Sequence, residues 1–247
     1  MLNFKEGKPI VQIIRGGKPK DIIYIDENSE DGSDMIKLKK ICCKMSMIPN
    51  IENREVVYIA GPSGSGKTSF ACEYIKMFKK LFPKNSIFVF SRLKEDKILD
   101  DLGIIRIVLD DDIIENPIDI HEDIDRNDLV MFDDTDTIQD IKIKNAVSRL
   151  KNDILETGRH NDIYILVTSH LINGNDRKDN RTILNEAHSL VFFPKSGSTY
   201  GINYVLKNYL GLSKKQIDEI ISQKSRWVII KKAYPQHVVT EKCVFTL

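Results

Sequence analysis

The chain has 247 residues, 41% of them hydrophobic and 30% charged, with a formal net charge of +1. That length can bury a sizeable core without disulfide staples, and the composition is that of a folded chain rather than a disordered one. No apolar run approaches the roughly 18 residues of a membrane span. The opening Met1-Leu2-Asn3-Phe4-Lys5-Glu6 turns charged too early for a secretory signal, so a secreted, membrane-anchored or fibrous protein is not expected.

Residues 1–50 read as an extension, a β hairpin plus linker. Val11–Ile14 and Ile22–Ile25 are β-like runs flanking Gly16-Gly17-Lys18-Pro19. Cys42 and Cys43 are adjacent, and Cys72 and Cys243 stand far apart. None forms a Cys-x-x-Cys pair, which predicts reduced thiols rather than a metal or disulfide framework.

From Glu55 the pattern alternates between strands and helices. Val56–Ala60 is an apolar run that fits a strand buried on both faces. Residues 67–82 carry apolar residues at helical spacing (Phe70, Ala71, Tyr74, Ile75, Phe78), and Pro83 ends that helix. Ile87–Phe90 reads as a strand, Glu95–Leu102 as a helix and Ile105–Leu109 as a strand. Residues 110–128 then hold nine acids against one base, Arg126, a local balance of −8 that leaves +9 on the rest of the chain. Such segregation permits contact with a polyanion on one face.

Leu129–Phe132 is the next strand, and an amphipathic stretch follows from about Ile138 to Glu156. Ile163–Val167 reads as a strand, Thr182–Ala187 as a helix and Leu190–Phe193 as a strand. In the tail, Ser213 caps a helix to Ser222, and Trp227–Ile230 and Val238–Val239 read as strands. The alternation predicts an α/β fold with a mostly parallel sheet flanked by helices. Residues 51–247 are expected to form one P-loop domain that includes the C-terminal helix and strands.

Gly61-Pro62-Ser63-Gly64-Ser65-Gly66-Lys67-Thr68 matches G-x-x-x-x-G-K-[ST] directly after a strand and at the start of a helix. The glycines let successive backbone N–H groups face inward as an anion nest. The helix N-terminus adds unpaired donors and the positive end of its dipole. Lys67 is placed to reach the β- and γ-phosphates of ATP, and Thr68 to offer its hydroxyl to Mg²⁺. Ser69 completes the nucleotide-binding set.

Leu129-Val130-Met131-Phe132 ends in Asp133-Asp134. A buried strand would deliver both carboxylates to the sheet edge where the phosphate loop opens. Asp133 is placed to hold Mg²⁺, and Asp134 to orient and deprotonate an attacking water. Thr168-Ser169-His170 ends a later strand, so Ser169 or His170 can contact the γ-phosphate or the water. Arg159 stands before that strand, at its opposite end. It is badly placed for its own nucleotide but able to reach a neighbour's in a ring.

With these residues the chain resembles the FtsK–HerA superfamily of ring-forming P-loop DNA translocases. In particular it is similar to the genome-packaging ATPases of large double-stranded DNA viruses and of virophages. The similarity rests on Gly61–Thr68, on Phe132-Asp133-Asp134, and on Thr157-Gly158-Arg159-His160-Asn161-Asp162-Ile163 leading to Thr168-Ser169-His170. Bacterial members carry an arginine eleven residues before a sensor glutamine, a spacing that Arg159 and His170 keep. The resemblance therefore implies a trans-acting arginine finger at Arg159 and a sensor at His170, with histidine replacing glutamine.

The resemblance implies an ATPase that translocates double-stranded DNA, sequence-independently, into a capsid. It implies a homo-oligomeric ring, ATP and Mg²⁺ as cofactors, capsid proteins as partners and the host cytoplasm or the virion as location. Arg177, Lys178 and Arg181 are the candidate DNA-facing bases. Two other readings fit parts of the pattern. A nucleoside monophosphate kinase of the guanylate type shares the Gly-Pro-Ser-Gly-Ser-Gly-Lys opening, and Arg92 could serve as an acceptor-binding arginine. A nucleotide-binding assembly factor without turnover needs the loop but not the second acid.

Overall fold

A computed structural model describes residues 1–28, 32–39, 42–170 and 177–247, the last without the side chains of 177–180. The N-terminal segment holds β1 (Leu2–Asn3), β2 (Lys8–Arg15), β3 (Lys18–Ile25), β4 (Met35–Lys37) and β5 (Cys43–Met47). The expected hairpin is β2–β3, and its turn works because Gly16 and Gly17 take φ of 58° and 77°, which suit glycine.

The middle segment holds β6 (Val56–Ala60), α1 (Lys67–Leu81), β7 (Ile87–Ser91), α2 (Lys97–Asp100), β8 (Ile105–Val108), α3 (Asp112–Glu115) and α4 (Ile120–Asp123). It continues with β9 (Leu129–Asp133), a 3-10 turn (Thr135–Thr137), α5 (Ile141–Thr157), a second 3-10 turn (Gly158–Asn161), β10 (Tyr164–Ser169) and α6 (Arg177–Glu186). The C-terminal segment holds β11 (Ser189–Phe192), α7 (Thr199–Asn208), α8 (Lys214–Ile221), β12 (Val228–Lys231), β13 (His237–Thr240) and β14 (Cys243–Thr246). The acidic segment forms only the single turns α3 and α4, and α2 is much shorter than the expected helix.

Two compact units result, Ile51–Ala187 and Met1–Asn50 with His188–Leu247. In Ile51–Ala187 the strands run all parallel in the order β6-β10-β9-β7-β8. The central strands are buried on both faces: Val56, Val57, Ile59, Leu129–Phe132 and Ile165–Leu166 expose essentially nothing. Phe90 stacks on Phe132 with ring centroids 5.0 Å apart, which locks β7 to β9. α1 lies against β10, with Phe78 and Phe82 each 5.1 Å from the Tyr164 ring. α5 starts where the Asp140 carboxylate accepts from the N–H groups of Lys142 and Ile143, an N-cap.

In the other unit the strands pair antiparallel, as β1-β3-β2-β5 and as β4-β14-β13-β12-β11. Here the C-terminal strands group with residues 1–50. The ties are backbone hydrogen bonds: Met45 N–H donates to the Glu241 carbonyl at 2.8 Å and Leu38 N–H to that of Lys242 at 2.8 Å. α7 and β14 were not expected from the sequence. Among the described residues no helix is long and apolar enough to cross a membrane, and the four cysteines are free thiols.

Candidate functional site

The phosphate loop joins β6 to α1. Gly64 takes φ 74° and Gly66 φ 113°, and a Cβ on Gly64 would meet open space, so its glycine answers to backbone conformation alone. α1 begins at Gly66 with no side-chain cap and no acid in its first turn. Its N-terminal donors are therefore left for an anion. Ser65 Oγ, inside the loop, is buried without a hydrogen-bond partner among the described residues. Open donors, an uncapped helix end and an orphaned hydroxyl fit a phosphate chain.

Lys67 is buried. Its Nζ donates to the Gly61 carbonyl at 3.0 Å and stands 3.5 Å from Asp134 Oδ1. The lysine thus connects the loop to the end of β9. Thr68 is half-buried, while Ser63, Gly64 and Ser69 are exposed.

Strand register brings the remaining groups together. β7 and β9 pair Ser91 with Asp133, and β9 and β10 pair Phe132 with Val167, which sets Thr168 beside the carboxylates. Ser91 Oγ donates to Asp133 Oδ2 at 3.1 Å. Thr168 Oγ1 accepts from the Asp134 N–H at 2.8 Å and lies 3.0 Å from Asp133 Oδ1 and 3.1 Å from Asp134 Oδ1. With one proton, that hydroxyl satisfies one carboxylate at a time. Burial pushes the Asp133 carboxyl above its usual range, the charge of Asp134 adds to this, and the hydroxyls of Thr168 and Ser91 oppose it.

Asp134 has φ 46° and ψ 39°. This left-handed conformation is uncommon outside glycine and is tolerated by Asp. It turns the chain sharply after the strand, so that the two adjacent carboxylates have different surroundings. An open cavity of ≈ 340 Å³ lies against them, lined by Ser91, Arg92, Asp133, Asp134, Thr137 and His170. Arg92 donates to the Thr137 carbonyl at 3.1 Å.

His170 follows β10. Its Nε2 is 3.4 Å from Asp134 Oδ2 and its Nδ1 3.7 Å from Asp136 Oδ1. Asp136 Oδ2 accepts from Ser169 Oγ at 2.8 Å and from the His170 N–H at 2.9 Å. Asp134, Asp136 and His170 each bring a ligand atom within 4.8 Å of the others, a donor set of a kind that divalent cations accept.

Lys67, Asp133, Asp134 and His170 thus converge at the C-terminal ends of the parallel strands. Arg159 does not join them. It is exposed on the 3-10 turn before β10, at the strand's other end, roughly 17 Å away at ~3.3 Å per residue. Beneath that turn the buried Arg54 donates to the carbonyls of Ile154 (3.1 Å) and Leu155 (2.7 Å). A Cβ at Gly158 would crowd Arg54 Nη1 at 3.1 Å, so glycine eases this close approach. Arg181 is exposed on α6, and the side chains of Arg177 and Lys178 lie outside the described residues.

The sequence reading assigned no role to Ser91, Thr168 or Asp136. For the first two a signal existed: each is a polar residue ending a strand of a parallel sheet. Asp136 offered none, because its partners lie more than thirty residues away.

No family model matches the chain. It is 51% identical over 251 residues to "Uncharacterized protein V3" of Sputnik virophage, covering 100% of both. Among solved structures it is similar to B204, the DNA-packaging ATPase from Sulfolobus Turreted Icosahedral Virus, with a TM-score of 0.53 and 13% identity over 77% of this chain and 98% of that one. It is also similar to the pCW3 conjugation coupling protein TcpA with ATPγS, with a TM-score of 0.52 and 12% identity over 94% of this chain and 76% of that one. These two likenesses concern the fold.

Proposed function

The chain belongs to one family with protein V3 of Sputnik virophage and has the fold of the FtsK–HerA-like P-loop ATPases, and from that premise we propose that it is an ATP-hydrolysing translocase that packages double-stranded DNA into a capsid. One observation carries the chemistry. Lys67 of the phosphate loop stands with its Nζ 3.5 Å from Asp134, which follows Asp133 at the end of β9.

Bound Mg²⁺-ATP would supply the γ-phosphoryl group and neutralise its developing charge. The loop Gly61–Thr68 with Ser69 would cradle the phosphates through N–H donors. Thr68 and Asp133 would hold the metal. Lys67 would leave its contact with Asp134 for the phosphates, and Asp134 would then be free to take a proton from the attacking water. His170, on the far side of Asp134, would contact the γ-phosphate or that water. Two acids in separate surroundings favour hydrolysis over transfer to a bound acceptor, since one can hold metal while the other handles the water.

The motor part of the reading is supported by the resemblance to packaging ATPases and by the exposed position of Arg159. In a homo-oligomeric ring the Arg159 guanidinium would meet a neighbour's γ-phosphoryl group. DNA would be gripped through its phosphates, indifferent to sequence, and capsid proteins in the infected host cytoplasm would dock the ring. The test is ATP turnover by the purified protein with and without linear duplex DNA. Absence of turnover in both cases sinks the ATPase reading. Turnover that linear duplex leaves unchanged sinks the translocase.

A further inference from the structure

We infer that Asp136 is a positioning residue that fixes both the place and the hydrogen of the His170 imidazole, so that Nδ1 carries a hydrogen toward Asp136 and Nε2 is the atom presented to Asp134 and the cavity. The inference deepens the proposed ATPase site and rests on that reading for its catalytic consequence, but not for its geometry.

Four observations carry it. Asp136 is itself held fast, because its Oδ2 accepts from both Ser169 Oγ and the His170 backbone N–H. Ser169 is braced in turn by a hydrogen bond with the Tyr58 side chain on β6. Asp136 Oδ1 therefore faces the imidazole from a fixed position, 3.7 Å from Nδ1. That distance is longer than a hydrogen bond, but a carboxylate there still favours a hydrogen on the nitrogen facing it. Finally, Nδ1 is buried and has no hydrogen-bond partner among the described residues, whereas the ring as a whole is about one-third exposed.

The opposite assignment is disfavoured by competition. Asp134 faces Nε2 through Oδ2 at 3.4 Å, but its Oδ1 meets the Lys67 ammonium at 3.5 Å and Thr168 at 3.1 Å, so the charge of this carboxylate is already offset by a cation. Asp136 faces the ring with an oxygen to which neither Ser169 nor the His170 N–H donates. Two neighbouring carboxylates thus have separate tasks. One is shared with the phosphate-loop lysine, and the other orients the imidazole, as outer carboxylates orient histidines in many sites.

The chain topology gives the contact a longer reach. Asp136 lies just before α5 and His170 just after β10, and the Arg159 turn joins α5 to β10. The Asp136–His170 contact closes this excursion at its base, with Arg159 at its tip. A displacement of His170 by nucleotide would therefore act on both ends of the segment that carries Arg159.

Asp136→Asn is the discriminating variant. Its amide oxygen can keep the hydrogen bonds from Ser169 and His170 N–H, while its NH₂ now faces Nδ1 and makes that nitrogen an acceptor. The measurement is long-range ¹H–¹⁵N correlation on ¹⁵N-histidine-labelled full-length protein at mildly alkaline pH. The chain has five histidines, and loss of signals in His170→Gln assigns the ring. In wild type Nδ1 should be protonated; in Asp136→Asn it should lose its proton to Nε2, with unchanged melting temperature. Turnover should fall at least ten-fold while affinity for a non-hydrolysable ATP analogue stays within two-fold. Asp136→Glu, which keeps the charge, should restore Nδ1 protonation. An unprotonated Nδ1 in wild type, or one still protonated in Asp136→Asn, overturns the inference. Failure of the wild type to hydrolyse ATP would sink the functional reading while leaving the spectra to decide the role of Asp136.

Discussion

Lys67 Nζ lies 3.5 Å from Asp134 Oδ1, so the phosphate-loop lysine and the acid that follows β9 are partners. The contact neutralises a carboxylate that shares a cavity with Asp133. On the proposed function, a triphosphate would compete for Lys67 and free Asp134.

Lys67→Ala should therefore remove two things at once. ATP turnover should fall by roughly 10²-fold or more, the scale of losing one preorganised donor to developing charge. The fold should persist, because Lys67 Nζ bonds only the Gly61 carbonyl and Asp134 among the described residues. Steady-state turnover with circular dichroism as the folding control checks this. Near-wild-type hydrolysis contradicts it.

The two acids should separate in their defects. Asp134→Asn should still bind Mg²⁺-ATP but turn over slowly, since it keeps the backbone N–H bond to Thr168 and loses the proton acceptor. Asp133→Ala should weaken metal-dependent binding itself. Analogue binding with and without Mg²⁺, beside turnover, reads the split. Identical defects in both variants would remove the case for separate roles.

Asp133 also makes a stability prediction of definite sign. Its folded pKa is raised above the ordinary 3.8, by burial first and by the charge of Asp134 second. A raised carboxyl stabilises the fold fully below its unfolded pKa, and that contribution is lost as pH rises through the folded value. At neutral pH the charged form is held against burial and a like charge. Asp133→Asn should then raise the stability of the nucleotide-free protein by about 1 kcal/mol, the scale of relieving such a functional strain. The gap should close as pH falls toward 3.8, the ordinary value. Thermal melts across that range decide it, and a destabilised variant at neutral pH refutes it. The same shift predicts that turnover loses activity on acidification sooner than an ordinary carboxylate would require.

Much of this site is legible because its chemistry is local. Gly61–Thr68 declares itself within eight residues, and Leu129–Phe132 ending in two acids gives the second motif. The β6, α1, β7, β9 and β10 elements follow from apolar spacing for the same reason. What the sequence hides depends on register or on distant partners. Asp136 finds Ser169 only because β9 and β10 lie side by side. α7 carries a glycine and exposes Tyr200 and Tyr204, so its apolar stripe is faint. β14 is four residues whose partners β13 and β4 come from separate parts of the chain, and only their hydrogen bonds show that the tail joins residues 1–50.

Binding to duplex DNA should be salt-sensitive and nearly sequence-independent. Outside residues 110–128 the chain carries a charge of +9. Log affinity should fall linearly with log salt, at about −0.9 per phosphate neutralised. Arg181→Ala should weaken all sequences alike and reduce that slope by about 1. Fluorescence anisotropy over a salt series measures both. A strong preference for one sequence, or no salt dependence, counts against a packaging motor.

Arg159 should act across a subunit contact. It is exposed, it stands at the end of β10 away from Lys67 and Asp134, and a strand of six residues separates it from His170 by roughly 17 Å. No rotamer of one arginine spans that distance to its own γ-phosphate. Its turn is nonetheless built firmly, over the Arg54 guanidinium that binds the last carbonyls of α5. A rigid turn presenting an exposed arginine suits a role outside its own subunit. In trans, the guanidinium would offset charge on a transferring phosphoryl group, a contribution of about 10³–10⁵ in rate where it has been isolated. Specific activity should therefore rise with protein concentration as rings assemble. Arg159→Ala and Lys67→Ala should each be inert alone, yet their mixture should regain part of the activity, because some contacts pair an intact loop with an intact arginine. Strictly additive inactivity in the mixture, under conditions where sedimentation shows mixed oligomers, would place Arg159 outside the reaction.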